Sequence, residues 1–290
     1  MLNNFILEQR DVNGVRINFR HGGKGPPLLL LHGYPQTHVM WHLVAPVLAQ
    51  HFTVICADLR GYGDSSKPAS DPAHATYSKR AMAADMVSAM AALGHERFFL
   101  AGHDRGGRVA HRLAADHPRR VEKLAVLDIA PTREMYRDTT EKFARAYWHW
   151  FFLIQPHDFP ERMILADTDA YWLRKSTTGS KTADVFAPAA LEEYLRCFRD
   201  AACVHASCED YRAAASIDIQ HDNDDGGRKL PMPMLAIWGA KGAVGACFDP
   251  LALWRERADH VSGLALPGAH YLAEELPEEV ARELKGFFGG

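Results

Sequence analysis

Gly102-His103-Asp104-Arg105-Gly106-Gly107 follows an apolar run at residues 98–101 and opens a stretch of helical character over 105–117. A strand that passes into a helix within so few residues must turn sharply. Glycines on both sides of Asp104 permit the turn and let the helix pack close to the strand. Such an elbow projects one side chain, here Asp104, into a site. Alone, the G-x-D-x-G spacing equally describes an aspartate capping a helix N-terminus, so the surrounding chain decides between the two.

Working outward, residues 15–20 alternate apolar and polar, and a Gly-Gly-Lys-Gly-Pro-Pro turn leads into the apolar run 28–31. This predicts an edge hairpin entering a buried strand. Further strands are predicted at 52–57, 98–101 and 124–129, with helices over 78–93 and 105–117 between them. Two more, at 232–238 and 263–266, are followed by helical segments near 250–258 and 278–288. Strands alternating with helices imply the α/β class and a mostly parallel central sheet flanked by helices. The alternation is interrupted over about 131–217 by a helix-like, aromatic-rich stretch containing Tyr147, Trp148, Trp150, Phe151, Phe152, Tyr171, Trp172 and Tyr194. We read it as an inserted helical cap, 136–214, in a discontinuous core of 1–135 and 215–290. Of the cap aromatics, Trp148 and Phe151 are expected to be packing residues.

Composition narrows the function classes. Across 290 residues, 33 Lys and Arg face 36 Asp and Glu, a net charge of −3, and no basic field invites nucleic acid. No apolar run approaches the roughly 18 residues of a membrane span, and the first ten residues carry no signal-peptide pattern. The five cysteines are too few and scattered for a disulfide framework. A cytoplasmic location is expected. The acidic run 222–227 lacks the alternate spacing of a calcium loop and is expected to be a solvated return from cap to core. Cys203, His205, Cys208 and Asp210 do not have zinc-ligand spacing and are expected to be a reduced structural set.

An elbow with Asp at its apex makes the nucleophile a carboxylate. Attack on an sp³ carbon forms an alkyl ester by displacement, and the ester is then hydrolysed at the enzyme's own carbonyl. His32-Gly33-Tyr34-Pro35 ends the 28–31 strand where such folds supply an oxyanion donor, so the Tyr34 and Arg105 amides are the expected pair. His270, on the loop after the last predicted strand, is placed to be the general base. After the penultimate strand, Gly242 stands where a carboxylate commonly completes the triad. Asp128, closing the 124–127 strand, is the substitute expected to orient His270.

With Asp104, His270 and an H-G-x-P loop in place, the chain resembles, over nearly its full length, the α/β-hydrolase superfamily branch that contains epoxide hydrolases and dehalogenases. The resemblance implies an α/β-hydrolase fold with a cap. Where relatives in that branch carry Trp after the nucleophile, this chain has Arg105, with Arg108 one helical turn on. Two guanidiniums on one helix face beside a nucleophilic carboxylate suit an anionic, carboxylate-bearing substrate. The Asp104-Arg105-Gly106-Gly107-Arg108 pattern, with Tyr147-Trp148-His149-Trp150 and Tyr211, is similar to fluoroacetate (haloacetate) dehalogenases. That resemblance implies halide binding by His149, Trp150 and Tyr211, substrate-carboxylate binding by Arg105 and Arg108, a small haloacid as the only partner besides a second copy in a homodimer, and no metal or organic cofactor. An epoxide hydrolase with Tyr147 and Tyr211 as proton donors, and a non-catalytic small-acid binder of the same fold, are the competing readings.

Overall fold

The computed structural model describes residues 1–177 and 183–289. Its strands are β1 (Ile6–Val12), β2 (Val15–Gly22), β3 (Pro27–Leu31), β4 (Thr53–Ala57), β5 (Phe98–His103), β6 (Val121–Leu127), β7 (Met234–Gly239) and β8 (Val261–Leu266). They form one sheet in the order β1-β2-β4-β3-β5-β6-β7-β8. The β1/β2 and β2/β4 pairs are antiparallel and the rest parallel. The central strands are buried on both faces. This is why Leu28 to Leu31, Leu124 to Leu127 and Met234 to Ile237 read as unbroken apolar runs rather than alternations.

One expectation needs correcting. Residues 22–27 do not form a hairpin into β3, because β4 lies between β2 and β3. The hairpin is one strand earlier, where β1 and β2 meet at Asn13-Gly14 with φ of 51° and 77°, the positive values a tight type I′ turn requires. β1 escapes apolar patterning because it is an edge strand. Glu8, Gln9, Arg10 and Asp11 keep it mostly exposed.

Helix α1 (Lys79–Ala92) begins at Ser78, whose side chain accepts from the Ala81 amide, and it packs against α2 (Asp104–Asp116). Between β6 and β7 run α3 (Thr132–Arg137), α4 (Glu141–Ala146), α5 (Trp148–Leu153), α6 (Phe159–Leu165), α7 (Thr168–Thr177), α8 (Pro188–Phe198), α9 (Ala201–Ala214) and α10 (Ile217–Asp224). The described residues of this excursion contain no strand. α11 (Pro250–Arg255) and α12 (Pro277–Gly289) complete the flanks. None of the described helices is long and apolar enough to cross a membrane.

Trp148 and Phe151 are half-buried packing residues, Trp148 against Phe152 and Tyr171 and Phe151 against Phe143, whereas Trp150 is fully enclosed; α5 turns His149 and Trp150 inward. The acidic run is the solvated return from cap to core over most of its length, with Asn223, Asp224, Gly226 and Gly227 exposed. Its two points of contact are Asp222, buried at the end of α10, and Asp225, which pairs with Arg112 of α2.

The elbow shows why its glycines are there. A Cβ on Gly102 would lie 2.4 Å from the Gly106 carbonyl oxygen, and one on Gly106 would lie 2.4 Å from that of His32. Asp104 itself sits at φ 45°, a left-handed conformation that side-chain-bearing residues seldom adopt.

Candidate active site

Asp104, His270 and Asp128 come together at the carboxyl ends of the strands. Asp104 is almost fully buried, and its Oδ1 accepts the Tyr34 amide at 2.9 Å. The Arg105 amide lies in the first turn of α2, where helix amides have no partner within the helix. Burial alone would raise the Asp104 pKa. The positive charges of protonated His270 and of Lys175 outweigh it and hold the carboxyl well below the usual range.

His270 Nδ1 and Asp128 Oδ2 are 2.6 Å apart. This assigns the proton of that bond to Nδ1 and leaves Nε2 for chemistry. Asp128 is fully buried, and its second oxygen accepts the Gly239 amide at 2.9 Å. The vacancy at Gly242 is visible in space, since a Cβ there would stand 3.3 Å from Asp128 Oδ1. Ends of adjacent strands can therefore deliver a carboxylate to the same histidine.

The two arginines are buried but held differently. Arg105 Nε and Nη2 donate to Asp210 at 3.0 and 2.7 Å, and Nη2 also reaches the Asp210 backbone oxygen at 2.8 Å. Arg108 Nη1 donates to the Ala130 carbonyl at 3.1 Å and to Thr132 Oγ1 at 2.9 Å. Arg105 Nη1 and Arg108 Nε are buried with no partner among the described residues. Their guanidiniums stack on the Tyr211 and Trp150 rings at 4.0 and 4.5 Å.

That stacking ties the arginines to the cap aromatics. Trp150 and Tyr211 have ring centroids 6.3 Å apart, Tyr211 and His149 5.8 Å, His149 and Tyr147 5.4 Å, and Tyr147 and His270 6.2 Å. The chain of rings runs unbroken from the base to the halide candidates. Trp150 Nε1 and Tyr211 Oη are buried without partners among the described residues, an expensive arrangement unless a ligand accepts from them. Burial and then Lys175 lower the His149 pKa well below its ordinary value, so its ring is neutral. A cavity of about 250 Å³ opens onto Tyr147, His149, Lys175, Gly242, His270 and Tyr271.

Four residues at this site had no motif to announce them. Lys175 of α7 donates to the Tyr34 carbonyl at 2.9 Å and to Tyr271 Oη at 3.1 Å. His103 has a pKa lowered to about 3 by burial and by His270. It is therefore neutral, and its Nε2 donates to the His270 carbonyl at 2.7 Å. Tyr136 lays its ring 4.9 Å from Trp150, with its buried hydroxyl unpartnered. Asp210 had been weighed only as a metal ligand. In the fold it binds Arg105, Lys79 and the Tyr62 hydroxyl, and a carboxylate so engaged by cations cannot serve a zinc ion. Cys203 and Cys208 are buried free thiols. Another ligand-like trio, His157, Glu161 and His205, lies apart in the cap, but Arg212 occupies both oxygens of Glu161 at 2.6 and 3.0 Å.

Comparison with known proteins gives three consistent results. A family model described as the alpha/beta hydrolase fold matches residues 26–250. Over 288 residues, covering 99% of this chain and 95% of the relative, the sequence is 48% identical to a fluoroacetate dehalogenase from a Burkholderia species. It is also 33% identical to a soluble epoxide hydrolase from Corynebacterium sp. strain C12, covering 97% and 96%. Among solved structures, ALR0039 from Nostoc sp. PCC 7120 superposes with a TM-score of 0.98 at 56% identity, over 99% of each chain.

Proposed function

Because the chain belongs to the α/β-hydrolase family, we propose that its elbow carboxylate serves carbon-halide hydrolysis, converting haloacetate, fluoroacetate included, to glycolate and halide. The observation that carries this reading is a set of buried donors unpartnered among the described residues: Arg105 Nη1 and Arg108 Nε on the elbow helix, and Trp150 Nε1 and Tyr211 Oη on the rings their guanidiniums stack against. Two guanidinium edges suit the substrate carboxylate, and indole and phenol suit a departing halide, joined by His149.

Arg105 and Arg108 orient the acid so that its α-carbon faces Asp104 and the halogen faces His149, Trp150 and Tyr211. Because Oδ1 is held by the Tyr34 amide, Oδ2 attacks. The carbon-halogen bond breaks with its electron pair leaving on the halide, and an ester forms at Asp104. His270 Nε2 then takes a proton from water as the water adds to the Asp104 carboxyl carbon. Oδ1 becomes the oxyanion, already in line with the Tyr34 amide and beside that of Arg105. Asp128 stabilises the imidazolium. Collapse expels glycolate with the proton from His270. The cap in this reading is residues 136–214, and the chain's own side chains supply every step.

An epoxide hydrolase reading draws on Tyr147, Tyr211 and the 33% identical relative, but it gives Arg105 Nη1 and Arg108 Nε no acceptor. Halide release from fluoroacetate, chloroacetate and bromoacetate, beside diol formation from a neutral epoxide, tests the choice. Halide release that is abolished in Asp104→Asn is expected. Epoxide opening without halide release would overturn the reading, and binding of haloacetate with no turnover would leave only a small-acid binder.

A further inference from the structure

A cation on the cap reaches two loops of the core at the point where both serve the reaction. Lys175 is 6% exposed and is carried by α7. Its Nζ donates to the backbone oxygen of Tyr34, the residue whose amide holds Asp104 Oδ1. It donates also to the hydroxyl of Tyr271, which follows His270. The ammonium lies 5.0 Å from the Tyr34 ring centroid and 5.5 Å from that of Tyr271. An ammonium has three donors. Two are used here, and the side chain lines the same cavity as His149 and His270.

We propose that Lys175 is a positioning residue for the hydrolysis of the Asp104 ester, holding the oxyanion-loop residue Tyr34 and the base loop together from the cap and setting a positive charge beside the developing oxyanion. This rests on the dehalogenase reading above. It assigns the lysine to one half of the reaction. In ester formation, charge leaves Asp104 and a nearby cation gives the attacking carboxylate no advantage. In ester hydrolysis, a neutral carbonyl becomes an oxyanion on Oδ1, the atom held by the N–H of Tyr34, whose own carbonyl Lys175 anchors, and a fixed cation lowers that barrier.

The charge is also titratable. Burial lowers the Lys175 pKa to about 8, opposed by Asp104 and reinforced by Arg105. The groups that face it are Asp104 and Arg105 from α2, His103 from β5, His149 from α5, Tyr34 after β3, and His270 and Tyr271 after β8, with Tyr147 before α5 and Lys241 after β7 on the same cavity lining. Of these, His103 and His149 are neutral over the whole working range. Tyr34 and Tyr271 have phenols pushed above their ordinary values by burial. Loss of the Lys175 proton is thus expected to appear as an alkaline limb in ester hydrolysis, with the halide burst unchanged.

The experiment is rapid-quench turnover of bromoacetate and fluoroacetate by wild type, K175M and K175R, reading halide release and, by intact mass, the carboxymethyl ester on Asp104. K175M is expected to release about one halide per enzyme rapidly and then to stall. Its ester should accumulate, with hydrolysis slowed by about tenfold or more. K175R, which keeps the charge, is expected to recover part of the rate and to move the alkaline limb upward. Wild-type-like turnover by K175M, or equal slowing of both halves, would overturn the proposal. If K175M does not fold, the wild-type profile decides. A hydrolysis rate falling above pH about 8 while the burst stays constant supports the proposal, and a flat profile refutes it. Wild type that releases no halide at all would instead sink the dehalogenase reading on which this depends.

Discussion

The two oxygens of Asp104 are not equivalent, and the difference comes from a single amide. Tyr34 N–H holds Oδ1, which leaves Oδ2 as the nucleophile of the proposed reaction, and the backbone holds Asp104 at φ 45° at an energetic cost on the order of 1–3 kcal/mol. In the proposed reaction the Tyr211 hydroxyl, unpartnered among the described residues, is the donor to the leaving group. Tyr211→Phe is therefore expected to slow halide release from fluoroacetate by roughly 10²-fold or more, the scale of one lost oxyanion-type donor, and release from bromoacetate far less, because fluoride is the stronger hydrogen-bond acceptor. Parallel burst kinetics on the two substrates would check this, and equal losses would place the hydroxyl away from the halide. Residues such as Asp104, His270 and Arg108 were legible because backbone signals fix them: glycines at the elbow and a loop after the last strand. Lys175 was not, since a lysine in a polar helix looks solvated until the fold shows which loop it faces.

At the scale of elements, helix α9 carries both the Tyr211 donor and the carboxylate that grips Arg105. Asp210 is fully buried and binds Arg105 and Lys79, whose own second partner is Asp218 at 3.1 Å. These cations hold its pKa down to about 2 against the burial that would raise it. Asp210→Asn is expected to leave two buried cations undercompensated and to lower unfolding free energy by about 3 kcal/mol or more, with a raised KM as Arg105 loses its orientation. Urea denaturation with an unchanged slope would check the first, and steady-state kinetics the second. Sequence periodicity found the parallel strands of the centre because burial on both faces writes a continuous apolar code. It does not mark β1, whose exposed Glu8 to Asp11 write none, and it puts the hairpin at 22–25, where Gly22-Gly23-Lys24-Gly25 gives a denser turn signal than the single Asn13-Gly14 pair that makes the turn. Ion-pair networks such as the one around Asp210 join α1, α2, α9 and α10, residues far apart in the chain. No local pattern encodes such a meeting.

For the whole molecule, stability carries its own titration. Glu274 sits in the turn after His270, bound by the Tyr194 hydroxyl and by Gln36 Nε2 at 3.2 Å, and burial raises its pKa to about 7. The folded state thus holds its proton more tightly than the unfolded chain, so this group's contribution is fully present below about 4.5 and is lost as pH rises through about 7. Glu274→Gln is expected to flatten that decline, measured as unfolding free energy at pH 5 and pH 8, and an unchanged slope would assign the decline elsewhere. A different consequence follows from the gap beside Asp128. Gly242 sits at φ −84°, ψ 164°, as the N-cap of a short helix, a backbone that welcomes an aspartate, and its missing side chain points at the Asp128 carboxylate. Genetics can exploit this. A population carrying an Asp128→Ala allele and selected for growth on haloacetate should yield Gly242→Asp as a second-site suppressor, moving the proposed triad acid from one strand to the next and leaving the rest of the site in place.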